Sequence, residues 1–133
     1  MDANMKAPFP YFGGKSVIAK IVWQALGQPK HYIEPFGGSL AVLLNRPNFN
    51  QQTHAETVCD LDPHIDNVWR ALQFAPDEVA KWCDWPVHHT MLIARKAALI
   101  KSENKLVEDL KNDPKFYDAE LAGYWIWKQS CCI

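Results

Sequence analysis

The chain has 133 residues, of which 48% are hydrophobic and 22% charged, and its formal net charge is −1. These values are typical of one ordinary globular domain, and they exclude a disordered, collagen-like or low-complexity chain. The near-neutral balance also excludes a protein whose whole surface attracts nucleic acid or an anionic membrane, so any such surface must be local.

The sequence lacks the patterns of exported, membrane-spanning and zinc-binding proteins. No run has the basic-then-apolar order of a signal peptide, and no stretch of about 18 apolar residues could span a bilayer. The four cysteines show neither C-x-x-C spacing nor a neighbouring pair of histidines, which argues against a structural zinc site. The sequence therefore predicts a soluble cytoplasmic protein with reduced thiols and no metal centre.

The first predicted elements are a helix and a strand. Apolar residues at helical spacing over residues 17–26 follow a glycine turn and predict a helix that ends at Gly27. The β-prone residues 31–33 predict a strand, which must end in residues 34–38 (EPFGG) because proline and glycine disfavour its continuation. The chain is thus expected to pass from helix to strand to a tight turn.

A second strand and helix are predicted next. Ser39 has the side chain of an N-cap and precedes the apolar residues 40–44, which predict a short helix. Residues 57–59 predict the second strand, and Pro63 is suited to the first position of a helix over residues 63–72. These elements repeat the order of strand, turn and helix that is typical of parallel α/β sheets.

The rest of the chain is predicted to be helical, over residues 78–85, 91–110 and 119–127. Residues 30–87 carry four basic and eight acidic side chains, whereas residues 88–115 carry six basic and four acidic ones. The change of sign falls near a turn signal at residues 84–86. The prediction is an α/β sheet over residues 1–87 and a helical segment over residues 88–133.

The run of residues 13–16 (GGKS) invites comparison with the phosphate-binding P-loop, in which backbone amides and a lysine hold a nucleotide phosphate. That motif requires glycine where Phe9 stands, and two prolines interrupt the segment that would have to be a buried strand. A P-loop-like nucleotide-binding protein is therefore the least favoured interpretation of the sequence.

The turn after the first strand is a better candidate site. Glycines let a ligand approach the backbone, and an acidic residue about 20 positions further on, after the next strand, accepts hydrogen bonds from ribose hydroxyls in nucleoside-binding folds. Asp60 follows Gly38 at that spacing, and Asp62 is a second choice. Two structural alternatives stay open: the glycines serve only helix–strand packing, and the aspartate only caps the helix at Pro63.

Three ordered motifs also resemble the Dam-type DNA adenine methyltransferases, including their phage-borne members. They are PFPYFGGK at residues 8–15, IEPFGGS at residues 33–39 and VCDLD at residues 58–62. A weaker similarity continues through residues 113–114 (DP) and 124–127 (YWIW), in the helical region that such enzymes carry before their catalytic motif. The resemblance implies an incomplete Rossmann-like methyltransferase sheet that binds S-adenosylmethionine, a double-stranded DNA substrate and methyl transfer to the adenine amino group.

The family's cofactor-binding residues carry over to six positions of this sequence. The resemblance implies that Tyr11 and Lys15 contact S-adenosylmethionine, and that the acidic residue Asp60 binds its ribose. It further assigns the methionine moiety and the sulfonium to the turn after the first strand, through Glu34, Phe36 and Gly38. A lysine suits the cofactor's carboxylate, and an aromatic face suits its sulfonium.

Two departures from the family affect the expected activity. The turn commonly has a further glycine where this sequence has Leu40, and the catalytic tetrapeptide Asp-Pro-Pro-Tyr does not occur in the 133 residues. We therefore assign no catalytic residue to this chain. We expect the N-terminal part of a longer methyltransferase, inactive by itself, or a cofactor-binding remnant or subunit that needs a second polypeptide.

The helical segment has a local excess of basic residues that the resemblance relates to phosphate contacts on duplex DNA. A solvated helix face is the more common explanation of such residues, since acidic residues are interleaved. The basic residues are Arg95, Lys96, Lys101, Lys105, Lys111 and Lys115.

Overall fold

A computed structural model describes residues 5–131. The chain forms two compact units that divide after Leu61. The described parts are residues 5–61, which contain the sheet, and residues 62–131, which are helical. The fold is mixed α/β, as predicted, with a two-stranded parallel sheet and five helices in the described residues.

The first unit contains one helix and the two strands. Helix α1 spans Ala19–Leu26, and strands β1 and β2 span His31–Glu34 and Ala55–Val58. The strands are parallel, with the first and last residues of β1 paired to the first and last residues of β2. All three elements lie close to the predicted positions. Gly27, at φ +69°, ends α1 in a conformation that favours glycine.

The core of the first unit lies between α1, β1 and the segment after β1. Trp23 of α1 packs on Tyr32 of β1, with ring centroids 4.7 Å apart, and its indole N–H donates to the carbonyl of Val42 at 2.7 Å. Ala19 completes this buried cluster. The other face of the sheet is open, because Ile33 is 55% exposed.

The predicted helix over residues 40–44 is wrong, and a single 3₁₀ turn over Leu43–Asn45 takes its place. Leu40 adopts φ +53°, a left-handed conformation that interrupts a right-handed helix. Its N–H donates to the carbonyl of Gly37 at 2.8 Å, so the turn continues to this residue. The N–H of Leu43 donates to the Glu34 carboxylate at 3.1 Å, and the 3₁₀ turn has no side-chain cap from Ser39.

The second unit consists of four helices: α2 over Pro63–Phe74, α3 over Pro76–Cys83, α4 over His89–Asn112 and α5 over Ala119–Cys131. The start of α2 at a proline is confirmed. Helix α5 packs against each of the other three helices. This packing places α2 and α3 with the helical segment, so the compact units divide after residue 61 and not at the predicted boundary near residue 88.

Two contacts hold the helices together: the close approach of α5 to α3 and the buried side-chain amide of Asn67. A Cβ atom added to Gly123 of α5 would lie 2.2 Å from the Cβ of Trp82 on α3, so glycine is required where these helices touch. The fully buried side chain of Asn67 donates to the carbonyl of Asp118 at 2.9 Å and accepts from its N–H at 2.7 Å. This pair of bonds fixes the start of α5 against α2. Within residues 5–131, every helix is too short or too polar to cross a bilayer.

Candidate functional site

The candidate site lies at the edge of the sheet where both strands end. The carboxyl ends of parallel strands share one edge, so residues 35–40 and 59–61 leave the sheet side by side. The N–H of Cys59 donates to the carbonyl of Glu34 at 2.9 Å, and the N–H of Gly37 donates to the carbonyl of Cys59 at 2.9 Å. These bonds extend the pairing beyond the strands and hold the two segments together.

Asp60 binds the glycine turn. Its Oδ2 accepts a hydrogen bond from the N–H of Gly38 at 2.8 Å, and Gly38 has φ +50°. One alternative for this acidic residue was a role only as the cap of the next helix. The N-cap of α2 is instead Asp62, whose carboxylate accepts a hydrogen bond from the N–H of His64 at 2.8 Å. Asp60 and Asp62 therefore have separate roles in the fold.

Tyr11 lies against the same turn. The N–H of Gly14 donates to the carbonyl of Tyr11 at 3.0 Å, and Gly13 has φ +76°, so residues 11–14 form a tight turn. A Cβ atom added to Gly38 would lie 2.6 Å from the ring atom Cε1 of Tyr11. Glycine is thus required at position 38 both for its backbone conformation and for the close packing of this ring.

Lys15 connects the N-terminal segment to the end of β1. Its ammonium donates to the carbonyl of Phe36 at 2.9 Å and lies 3.7 Å from Oε1 of Glu34. Its side chain is partly exposed, whereas the Glu34 carboxylate is buried. Lys15 therefore neutralises a buried charge and also holds the first residue of the turn that follows Pro35.

Burial raises the pKa values of two residues of β1, Glu34 and Tyr32. Desolvation raises the pKa of Glu34 above its usual value, and the N–H of Leu43 and the charge of Lys15 oppose that rise. The Oε1 atom of Glu34 is buried and has no hydrogen-bond partner. Burial, and next the charge of Glu34, raise the pKa of the neighbouring Tyr32 to about 12.

The structure brings all six predicted cofactor residues to this edge. Tyr11 packs on Gly38, Gly38 binds Asp60, and Lys15 contacts both Glu34 and the backbone of Phe36. The Phe36 side chain itself is 74% exposed. The six residues span 50 positions of the sequence, yet hydrogen bonds and packing connect them.

A cavity of about 340 Å³ adjoins this site and falls within the usual size range of small-molecule pockets, about 300–1,000 Å³. Of the six predicted residues, Tyr11 lines it and the other five do not. The sequence analysis did not identify its other lining residues, although three of them belong to the PFPYFGGK motif. The lining consists of Met5, Lys6, Ala7, Phe9, Pro10, Tyr11, Gly14, Ser16, Ser39, Ala41 and Asn45.

The segment around the GGKS run differs from a P-loop. The described residues before it, from Met5 to Phe12, contain no strand, and the ammonium of Lys15 is bound to a backbone carbonyl. A P-loop lysine follows a buried strand and faces the nucleotide phosphates. Within the described part of the chain, no cluster of three or more His, Cys, Asp or Glu residues could hold a metal ion.

Arg95, for which the sequence offered a phosphate contact or, more commonly, a solvated helix face, is buried in the helical unit. Its guanidinium lies 5.3, 4.4 and 4.7 Å from the ring centroids of Trp85, Tyr124 and Trp127, and it donates to the carbonyl of Trp82 at 2.8 Å. Both interpretations are wrong for this residue, because its charge is enclosed by aromatic rings of α5 and the segment after α3. The five lysines predicted with it are exposed: Lys96, Lys101, Lys105, Lys111 and Lys115.

Comparison with known proteins gives no assignment for this arrangement of residues. No protein-family model, no curated protein and no solved structure matches the chain.

Proposed function

We propose that this chain is the cofactor-binding part of an S-adenosylmethionine-dependent methyltransferase that acts on the adenine amino group in DNA. The observation that carries the proposal is the contact network of Tyr11, Lys15, Gly38 and Asp60 at the carboxyl edge of a parallel sheet. Three separate motifs of the sequence supply these residues. The parallel pair β1 and β2 would then be part of a larger Rossmann-like sheet.

Each group of the site has a role that suits this cofactor. Asp60, which accepts from the N–H of Gly38, follows the second strand at the position from which an acidic residue binds ribose hydroxyls in nucleoside-binding folds. The partly exposed ammonium of Lys15 suits a carboxylate, and the face of Tyr11 suits a sulfonium. The cofactor would supply the methyl group, while the protein positions the reactants.

The target base would have to leave the DNA duplex to reach such a site. The sequence has no Asp-Pro-Pro-Tyr motif, which in the resembling family holds the flipped adenine. We therefore expect the purified 133-residue chain to bind cofactor without methylating DNA. Robust methylation of DNA by this chain would contradict that expectation.

Calorimetric titration with S-adenosylmethionine tests the proposed site. We expect saturable binding that Lys15→Ala and Asp60→Ala each weaken at least about tenfold, since each removes a charged hydrogen-bonding group. Lys20→Ala is a matched control, because it removes an exposed lysine of the same unit. Absence of binding by folded wild-type chain, or equal binding by all variants, would overturn the proposal.

A second candidate function is a non-catalytic subunit that completes its sheet with another polypeptide. The observation in favour is the open sheet: Ile33 of β1 and Val58 of β2 are both exposed, whereas parallel sheets usually have both faces covered. Native mass spectrometry of the chain co-expressed with the protein of the neighbouring reading frame tests this alternative. A stable complex without cofactor binding would favour it over the methyltransferase.

A further inference from the structure

The turn that holds Tyr11 presents a second aromatic side chain outward. Phe12 occupies the outer corner of the turn and is fully exposed, at 101% of its reference area. This exposure leaves the whole apolar area of the ring in water, and stacking on a flat partner would bury it. Phe12 has no role in the cofactor site described above.

The turn is anchored at several points, so the backbone that carries Phe12 is held in place. Tyr11 packs on Gly38 and lies edge-on to the buried ring of Phe9, with centroids 6.5 Å apart. On the other side of the turn, Lys15 is bonded to the carbonyl of Phe36. With the backbone anchored, binding to a flat partner restricts only the side-chain rotations of Phe12 and not the loop itself.

The charge of the chain segment that contains the turn indicates the class of partner. Residues 5–30 contain four lysines and no acidic residue, although the whole chain is close to neutral. Three of these lysines, at positions 6, 20 and 30, are exposed, and the fourth is the half-buried Lys15. Lysines together with exposed aromatic rings are the combination that binds nucleic acid, since the charges contact phosphates and the rings stack on bases.

We propose that Phe12 stacks on an unpaired base of the DNA substrate, while Lys6, an exposed lysine that lines the same cavity as Tyr11, contacts an adjacent phosphate. This inference rests on the proposed function, because it identifies where the DNA meets the carboxyl edge of the sheet. A protein partner would also cover an apolar side chain, but it would not account for four lysines without an acidic residue. The inference makes Phe12 a base-stacking residue next to the cofactor site and not part of it.

The test is the affinity of the full chain for two labelled duplexes, measured by fluorescence anisotropy. One duplex is fully paired, and the other has an adenine opposite an abasic position, which is available for stacking without loss of a base pair. Phe12→Leu keeps an apolar side chain without a flat ring, and Phe12→Trp keeps a ring. Val17→Ala is the matched control, because it removes an exposed apolar side chain (89%) outside the turn.

We expect Phe12→Leu to weaken binding of the duplex with the unpaired adenine about tenfold, within the range for loss of one stacked base. Phe12→Trp and Val17→Ala should bind it as the wild type does. Lys6→Gln should weaken binding of both duplexes and reduce the salt dependence. Equal binding by Phe12→Leu and wild type, or no binding of either duplex by the wild type, would overturn the inference.

The cofactor titration separates this inference from the proposed function. Phe12 variants should bind S-adenosylmethionine as the wild type does, because the ring lies outside the cofactor contacts. If the wild type does not bind S-adenosylmethionine but Phe12→Leu still weakens binding of the duplex with the unpaired adenine, only the methyltransferase proposal is overturned. Cofactor binding without a stacking effect would overturn the role of Phe12 alone.

Discussion

The carboxylate of Asp60 and the backbone N–H of Gly38 are joined by a hydrogen bond of 2.8 Å that crosses from the end of one strand to the turn after the other. This bond makes Asp60 a structural part of the site as well as a candidate ligand for ribose. The two roles can be separated because they depend on different properties of the side chain. Support of Gly38 requires one acceptor oxygen, whereas tight binding of two hydroxyls favours a full carboxylate.

We expect Asp60→Asn to retain stability and to lose cofactor affinity, since the amide keeps one acceptor oxygen but no charge. Asp60→Ala should lose both, with a cost of about 1–3 kcal/mol in unfolding free energy because the N–H of Gly38 loses its acceptor. Urea denaturation and calorimetric titration of the two variants measure the two effects. Unchanged cofactor affinity in both would restrict Asp60 to its structural role.

Leu40 combines burial with a left-handed backbone, at φ +53°. A left-handed conformation costs about 1–2 kcal/mol for any residue with a Cβ, whereas glycine adopts it freely. We therefore expect Leu40→Gly to be more stable than Leu40→Ala by about 1 kcal/mol, once the greater chain entropy of glycine is included. Urea denaturation measures the difference.

Leu106, a buried residue within α4, is the matched control for this comparison. Helical backbone disfavours glycine by about 1 kcal/mol relative to alanine, so Leu106→Ala should be the more stable variant there. The same order of alanine and glycine at both positions would show that Leu40 is not strained in solution.

The buried carboxylate of Glu34 should lower stability as the pH rises. Its pKa is raised by burial, so the folded state holds the proton more tightly than the unfolded state, whose pKa is near 4.5. Stability therefore falls as the pH rises from that value through the folded pKa. We expect Glu34→Gln to gain melting temperature relative to wild type between pH 4 and pH 7. The exposed Glu78→Gln should show no such gain, and a constant difference for Glu34→Gln would refute the effect.

His64 should make the helical unit sensitive to acid. Its pKa is lowered by burial, an effect that Lys128 increases and that Asp62 and Glu103 oppose. The unfolded state therefore binds the proton at higher pH, and stability falls as the pH drops below about 6.5. Thermal unfolding followed by helical circular dichroism should show a smaller loss between pH 7.5 and pH 5 for His64→Gln.

The exposed His89→Gln is the control for this pH profile, because it changes another histidine of the same unit. It should keep the wild-type slope. A wild-type slope in His64→Gln as well would assign the acid sensitivity to other groups.

Arg95 should contribute to stability and not to DNA binding. Arg95→Met keeps a long apolar stem but removes the charge between three aromatic rings and the bond to the carbonyl of Trp82. We expect a loss of about 2 kcal/mol in unfolding free energy. Lys96→Met, at the exposed neighbouring position, should stay within about 0.5 kcal/mol of wild type.

DNA affinity distinguishes the two roles of Arg95. A stable Arg95→Met variant with weakened DNA binding would contradict the buried position and support the phosphate contact that the resemblance suggested. Fluorescence anisotropy at two salt concentrations distinguishes the two outcomes, because loss of a phosphate contact reduces the salt dependence of the DNA affinity.

The sequence by itself determined where several helices and strands of this protein begin and end. Gly27 ends α1, proline and glycine end β1, and Pro63 begins α2, because each of these residues permits or forbids a backbone conformation without help from distant parts of the chain. The spacing of Gly38 and Asp60 also predicted that the two residues belong to one site, since parallel strands place their carboxyl ends at one edge.

Only the tertiary structure decided which residues are buried and where the units divide. The run of residues 40–44 has helical composition, but the hydrogen bonds of the turn place Leu40 in a left-handed conformation. Arg95 sits in a basic stretch of sequence, yet rings about 10 positions before it and 30 after it enclose its charge. Packing of α5 on α2 and α3 likewise sets the division after residue 61. The enclosure of Arg95 and the division of the units depend on contacts between distant segments, which local patterns of sequence do not encode.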